Sequence, residues 1–210
     1  MNNTKSKLEL IFECGLSLIG TKKLGYDEKR SHFTQPYYFF LAGFINIMNV
    51  KSVIEIGTHK GGSANAMAIS NEDLNLVTID TNEYEMAANR LDGLQNCRRL
   101  IGNPLYFWNY RKIKKLVFKA EGQRLMFIDA KKNGPWIEKV IKKYSFFEPD
   151  FILIDDITFN NEMSRWWTDF SSRKKNAINV VDYLGRDVRN SRQSDKNLNC
   201  GFGLISKDLI

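Results

Sequence analysis

Short apolar runs recur along this chain between longer stretches of mixed character. The runs Ser52–Ile56, Leu76–Ile79, Arg98–Ile101, Leu125–Ile128 and Phe151–Ile154 have the length and aliphatic content of buried strands. The stretches between them are helical in length and pattern, which predicts right-handed βαβ units around a parallel sheet. Pro104 and Pro135 each stand near the start of one of these helices, where a missing N–H costs nothing. After a further helix, Ala177–Asp182 and Gly201–Ile205 read as closing strands, joined by a polar, charged loop over 185–199. Ahead of the sheet, Leu8–Ile19 has the pattern of an amphipathic helix. A Gly20–Gly25 turn and a second helix over Tyr37–Met48 follow it. The expected fold is α/β: a doubly wound, mostly parallel seven-stranded sheet with helices on both faces and an N-terminal helical extension. The extension, a lid, takes residues 1–48 and the main domain 49–210.

Composition narrows the picture a little. At 210 residues and 43% hydrophobic the chain is one domain with a sizeable core. Its net charge of +7 is spread over small clusters: Arg111-Lys112 with Lys114-Lys115, Lys131-Lys132, Lys142-Lys143 and Arg173-Lys174-Lys175. Such clusters suit RNA, anionic lipid headgroups or acidic substrates. Since none reaches five like charges, solvated helix faces are the preferred reading. Cys14, Cys97 and Cys200 are odd in number and share no metal-ligand spacing, which points to a reducing, cytoplasmic setting. Leu8–Ile19 is too short to span a bilayer, is interrupted by Glu9 and Glu13, and precedes no clear cleavage site. Attachment of this helix to a membrane surface is the alternative to docking on the core.

The chemistry concentrates where strands end. The first strand passes through Glu55 into Gly57-Thr58-His59-Lys60-Gly61-Gly62-Ser63 and then into a helix of small residues. Glycines at such a turn let backbone approach a cofactor closely. The spacing lacks the middle glycine of the dinucleotide pattern and the Gly-Lys-Ser/Thr ending of a P-loop. Asp80 ends the second strand about 20 residues further on, where a carboxylate accepts the ribose hydroxyls of an adenosine cofactor. It also suits the N-cap of a helix beginning over Thr81–Glu83. Glu55, inside an apolar strand, needs a partner. Either a cationic group on a ligand or a buried Lys or Arg would serve.

The fourth and fifth strands stop at Asp129 and at Asp155-Asp156. In a doubly wound sheet both ends open onto the same crevice as the glycine loop. Three carboxylates gathered there repel one another unless protonated or bound to a cation, and hard oxygen ligands suit Mg²⁺, Mn²⁺ or Ca²⁺. Asp155 and Asp156 point to opposite faces of a continuing strand, so both reach one ion only where the backbone turns.

The Glu55–Ser63 loop, E-x-G-x-x-x-G-x-S, resembles the first motif of class I S-adenosylmethionine (SAM) dependent methyltransferases. Together with Thr78-Ile79-Asp80, Phe127-Ile128-Asp129-Ala130, Lys132 and Asp155-Asp156, it resembles the cation-dependent O-methyltransferases, the group of the catechol and caffeoyl-coenzyme A enzymes. The likeness runs over roughly residues 50–165. It implies a Rossmann-like, SAM-binding methyltransferase domain. It implies Asp129, Asp155 and Asp156 as ligands of a divalent cation, Mg²⁺ foremost, and Lys132 as the catalytic lysine beside Asp129. Gly57 and Gly61 would line the methionine end of SAM and Asp80 would take the ribose. Glu55, Thr58, His59, Ser63 and Asp129 would complete the cofactor contacts, with Gly102 and Asn103 where the family meets adenine. Three departures stand out. Asp156 replaces the asparagine of the catechol type, as it does in a related group from antibiotic and polysaccharide pathways. Trp136 stands one position late for the family's aromatic residue, and Gly102-Asn103-Pro104-Leu105 is not a close match.

Methyl transfer from a sulfonium is an in-line displacement that requires alignment of acceptor oxygen, methyl carbon and sulfur. A divalent ion lowers the acceptor's pKa, and Lys132, its own pKa depressed by metal and burial, would take the proton. His59 is the other candidate base. Tyr37, Tyr38, Phe39, Phe40, Trp166 and Trp167 divide between an acceptor pocket wall and the core. The expected activity is SAM-dependent O-methylation of a small metabolite, sugar-containing or phenolic, by a chain compatible with a homodimer. The alternatives are a tRNA nucleoside acceptor, favoured by the basic balance, and a catalytically inactive methyltransferase-like binding protein.

Overall fold

The computed structural model describes residues 2–20, 36–117, 121–180 and 201–208. Seven strands form one sheet: β1 Val50–Ile56, β2 Asn75–Asp80, β3 Cys97–Ile101, β4 Gln123–Ile128, β5 Phe151–Ile154, β6 Ala177–Asn179 and β7 Gly203–Ser206. Their order is β3-β2-β1-β4-β5-β7-β6. The first five are mutually parallel, and β7 runs antiparallel to both β5 and β6. The order reverses between β1 and β4, and a crevice opens at such a switch point beyond the carboxyl ends of the strands.

Among the described residues seven α-helices cover the sheet: α1 Asn2–Ile19, α2 Pro36–Ile47, α3 Gly62–Ser70, α4 Glu85–Leu91, α5 Phe107–Leu116, α6 Gly134–Lys143 and α7 Asn161–Ser172. The strands are apolar on both faces because both are covered. Val53, Leu76, Leu125, Phe127 and Leu153 pack with α2, α3 and α4. Their neighbours Ile54, Val77, Met126 and Ile154 pack with Ile113 of α5, Ile137 of α6 and Trp167 of α7. Leu8 and Ile11 of α1 join the first of these cores, so the N-terminal helices share it with the sheet. No helix among the described residues is long and apolar enough to cross a membrane.

The pattern-based elements hold, with shifted ends. Helix α1 begins at Asn2, α2 spans Pro36–Ile47 in place of Tyr37–Met48, β6 stops at Asn179 and β7 starts at Gly203. Pro135 sits in the first turn of α6, whose N-cap Asn133 accepts the Trp136 N–H at 3.0 Å. Pro104 does not open a helix: α5 starts at Phe107 after the N-cap Tyr106. Nor does Asp80 cap one, because α4 starts at Glu85 after Tyr84. Asp80 accepts the Asn82 N–H at 3.0 Å in a local turn, a bond equally natural to a short carboxylate side chain. The Gly20–Gly25 turn beyond Gly20, the loop over 185–199, Asp182 and Cys200 lie outside the described residues.

Two packing features fix the parts that carry the site. Helices α1 and α2 cross at glycines: a Cβ on Gly15 would lie 1.7 Å from the Phe39 carbonyl oxygen, and one on Gly43 1.6 Å from that of Ile11. On the same side of the sheet, register places Glu55 of β1 beside Thr78 of β2. Glu55 is wholly buried. The Ser63 hydroxyl donates to its Oε1 at 2.5 Å and the Thr78 hydroxyl donates to its Oε2. Thr78 has one proton to give, so Thr58, 2.6 Å from Thr78 Oγ1, donates to Thr78 in turn. Among the described residues no Lys or Arg pairs with Glu55. Burial pushes its carboxyl up to about 8, against the two hydroxyls that favour the charged form, while Asp129 and Asp80 add to the rise.

That elevation sets the sign of a pH dependence. Between the ordinary carboxylate range and about pH 8 the native state keeps a proton that the unfolded chain releases. Stability therefore falls as pH rises through this window and levels off above it. Glu55→Gln should flatten the decline measured by chemical denaturation between pH 5 and 8 by an amount on the order of a few kcal/mol. Gly43→Ala should force the α1–α2 crossing apart, lowering stability by about 1–3 kcal/mol in thermal unfolding.

Candidate active site

The carboxyl edge of the sheet is built as a stagger of strand ends, each tied to a carbonyl at or next to its neighbour's end. Gly57 N–H donates to Ile79 O at 2.8 Å, Asp129 N–H to Ile56 O at 2.9 Å, Asp155 N–H to Ile128 O at 2.9 Å and Gly102 N–H to Asp80 O at 2.7 Å. Four of the anticipated positions thus sit at one edge by backbone bonding alone. Gly57, with φ +109°, could not carry a side chain: a Cβ there would lie 1.9 Å from the Asp129 carbonyl oxygen. Gly61, at φ +75°, turns the chain into α3. Between them His59 takes a left-handed conformation, φ +44°, and donates its N–H to Asp80 Oδ2 at 2.8 Å. Its ring meets Tyr84 edge-on with centroids 5.0 Å apart. Asp80 is thereby fixed against the glycine loop, with lone pairs left on both oxygens.

Glu55 and Ser63 lie behind the loop, bonded to each other, and Thr58 joins the same network through Thr78. The register partner of Glu55 was the signal for Thr78, a lone hydroxyl in the run Leu76-Val77-Thr78-Ile79. Gly102, at φ +137°, and Asn103 stand beyond β3, where Asn103 Oδ1 accepts the Leu105 N–H at 2.9 Å.

The aspartates converge. One oxygen each from Asp129, Asp155 and Asp156 lies within 4.8 Å of the others. The turn that this requires is present: Asp156 has φ +59°, so the chain leaves the strand geometry that would send Asp155 and Asp156 to opposite faces. Lys132 reaches into the cluster, with Nζ 2.7 Å from Asp129, 2.9 Å from Asp156 and 3.7 Å from Asp155. Burial works against the ammonium, but the three carboxylates outweigh it and hold Lys132 above its ordinary range. The carboxylates that raise it are the groups a bound cation would engage, so the depression expected of Lys132 concerns the cation-bound site. Burial, then Asp129 and Asp156, pushes the Asp155 carboxyl well up, with Lys132 opposing. Three hard oxygen donors at this spacing are a donor set that fits Mg²⁺ or Mn²⁺ once the ammonium gives way.

The N-terminal helices add a wall that the motifs did not reveal. Tyr38 of α2 places its hydroxyl over Gly62, where a Cβ would lie 2.2 Å from it. Tyr37 packs on Tyr38 with ring centroids 4.0 Å apart. Burial, then Tyr38 and the carboxylates of Asp129 and Asp155, pushes the Tyr37 hydroxyl well above its ordinary range, so it stays a donor. Phe39 and Phe40 are core residues, and Trp167 is buried. Trp166 stacks on Phe170 and donates to Glu138 at 2.9 Å. Of the six aromatics considered for the pocket, Tyr38 lies on the glycine loop and Tyr37 packs on Tyr38.

Comparisons with known proteins agree with this geometry. Residues 30–97 match the family described as O-methyltransferase, a span that includes the glycine loop and Asp80. No curated protein matches the sequence. Among solved structures, one from Klebsiella pneumoniae assigned as an O-methyltransferase is 19% identical, with a TM-score of 0.56 over 95% of this chain and 89% of that one. The Bacillus cereus O-methyltransferase solved with SAH is 17% identical, with a TM-score of 0.55 over 96% and 91% of the two chains. A Staphylococcus aureus protein assigned as a caffeoyl-CoA O-methyltransferase is 19% identical, with a TM-score of 0.53 over 83% and 84%. At these identities the likeness is one of fold. Over residues 30–97 the chain is similar to the O-methyltransferase family, and its fold is that of the solved O-methyltransferases.

Proposed function

We propose that this protein transfers a methyl group from SAM to a hydroxyl of a small metabolite, sugar-containing or phenolic, with a divalent cation, Mg²⁺ foremost, at the acceptor. The observation that carries this reading is the convergence of Asp129, Asp155 and Asp156 beside the glycine loop, made possible by the left-handed turn at Asp156. When bound, SAM supplies an electrophilic methyl group and the cation an acidified, oriented hydroxyl.

The chain's own residues have distinct tasks in this scheme. Gly57 and Gly61 leave backbone bare toward the methionine end, and Glu55, Ser63 and Thr58 brace the loop from behind. Asp80, already held by the His59 and Asn82 amides, offers its remaining lone pairs to the ribose. Gly102 and Asn103 border the adenine end. The three aspartates hold the cation, as the caffeoyl-coenzyme A resemblance implies. Lys132 keeps them from repelling one another while no other cation is near. Its charge is fixed by those carboxylates, so it accepts a proton only when their negative charge is engaged elsewhere. The Tyr37 hydroxyl, raised by burial and then by Tyr38, Asp129 and Asp155, stays protonated near the cluster.

Calorimetric titration tests the scheme. The wild type should bind SAM, and Mg²⁺ should give a second isotherm that is absent from an Asp129→Ala/Asp155→Ala variant. Absence of SAM binding by the wild type overturns the reading; SAM binding with no Mg²⁺ heat removes the cation from it. Lys132→Met should strip the aspartates of their counter-charge and lower stability by about 2 kcal/mol or more. The loss should be larger at pH 8 than at pH 5, where protonation relieves the repulsion, and added Mg²⁺ should restore part of it. Thermal unfolding with and without MgCl₂ measures both effects.

A further inference from the structure

Helix α5 presents a surface that methyl transfer does not use. Tyr106, Phe107 and Trp108 are 64%, 56% and 70% exposed, and Ile101 at the end of edge strand β3 is 45% exposed. Phe107 and Trp108 touch, with ring centroids 5.3 Å apart, and Tyr106 and Ile101 precede them in the chain; large apolar groups left in water beside one end of a helix mark an interaction site. Directly after them come Arg111, Lys112, Lys114 and Lys115. Among the described residues none of these four is in an ion pair, and residues 97–117 contain no Asp or Glu. The four cations and Trp108 line a depression of about 420 Å³. On the neighbouring helix α6, Lys143 adds its charge, with Nζ 5.2 Å from the Tyr110 ring centre.

Two kinds of anionic partner suit aromatic rings among cations: a lipid surface and a single-stranded nucleic acid. Base stacking needs free, parallel ring faces. Here the Arg111 guanidinium already lies 5.5 Å over the Phe107 ring, and Phe107 and Trp108 meet at 68°, so they form no stacking platform. Ile101 contributes nothing to stacking. Insertion into a headgroup layer has neither requirement: it needs apolar area flanked by cations, with aromatic rings at the interface.

We propose that the α5 face is a docking surface for an anionic membrane. Tyr106, Phe107, Trp108 and Ile101 enter the headgroup layer, and Arg111, Lys112 and Lys115 meet lipid phosphates around the depression. The attachment is peripheral, and its strength depends on lipid charge and on salt. The aromatic end of α5 follows β3 and Gly102, so docking brings the carboxyl edge of the sheet toward the bilayer.

Co-sedimentation of the full chain with vesicles tests this. Vesicles of phosphatidylcholine with about one-third phosphatidylglycerol should bind it, and pure phosphatidylcholine vesicles should not. Phe107→Ala/Trp108→Ala and, separately, Lys112→Glu/Lys115→Glu should each weaken binding by about tenfold or more. Both pairs are exposed, so thermal unfolding should be unchanged and should confirm that the variants fold. Vesicle binding should shift tryptophan emission to the blue, and Trp108→Phe should abolish most of that shift while retaining binding. Equal binding to neutral vesicles, no binding to either kind, or variants that bind like the wild type overturns the proposal. So does tighter binding of a short single-stranded oligonucleotide, lost in the same variants, which would assign the surface to nucleic acid.

Discussion

The two halves of the site meet at one backbone contact. The carbonyl oxygen of Asp129 occupies the place where any side chain on residue 57 would stand. Because Gly57 has none, the end of β1 lies flush against the end of β4, and the glycine loop begins beside the first of the aspartates. The stagger of amide-to-carbonyl bonds across β2, β1, β4 and β5 then carries Asp80, Asp129 and Asp155 to the same edge. A side chain at residue 57 would separate the glycine loop from the aspartate cluster. The positive φ at that position adds a conformational reason for glycine to the steric one.

Gathering acids at that edge has an electrostatic cost, and the chain meets it in two ways. Glu55 is held by hydroxyls in a buried pocket where the neutral form is favoured. The aspartate trio is held by Lys132, whose ammonium sits near all three carboxylates. The two solutions differ in what they permit. Glu55 has spent both oxygens within the fold, which suits a brace. The aspartates share the single ammonium at the end of a long, flexible side chain, which leaves their oxygens less committed to the fold. By the same logic a lysine among three carboxylates is a counter-ion first.

Much of this was legible from residues alone. Runs ending in aspartate, separated by segments of helical length, locate the parallel sheet, and the doubly wound rule brings their ends together. What sequence could not supply was geometry dependent on register or on single backbone angles. Thr78 becomes the partner of Glu55 only when β1 and β2 are aligned residue by residue. Asp155 and Asp156 converge only because residue 156 leaves the strand region, and aspartate tolerates that conformation better than most side chains. Pro104 and Pro135 look alike in the sequence, yet one stands in the turn before a helix and the other within the first turn. Local pattern places helix starts to within a few residues, and that distance separates the two cases.

The N-terminal helices are the least motif-like part of the chain and still belong to the site. Gly15 and Gly43 let α1 and α2 cross with their backbones nearly touching, which fixes how deep α2 lies on the sheet. That depth sets the height of Tyr37 and Tyr38, the first near the aspartates and the second against Gly62 at the start of α3. A larger residue at the crossing would lift α2 and draw Tyr38 off the glycine loop. The small residues at the crossing therefore act on the site from a distance. The coupling runs through packed backbone and ring contacts, which explains why a helical segment with no catalytic motif of its own shares a core with the sheet it covers.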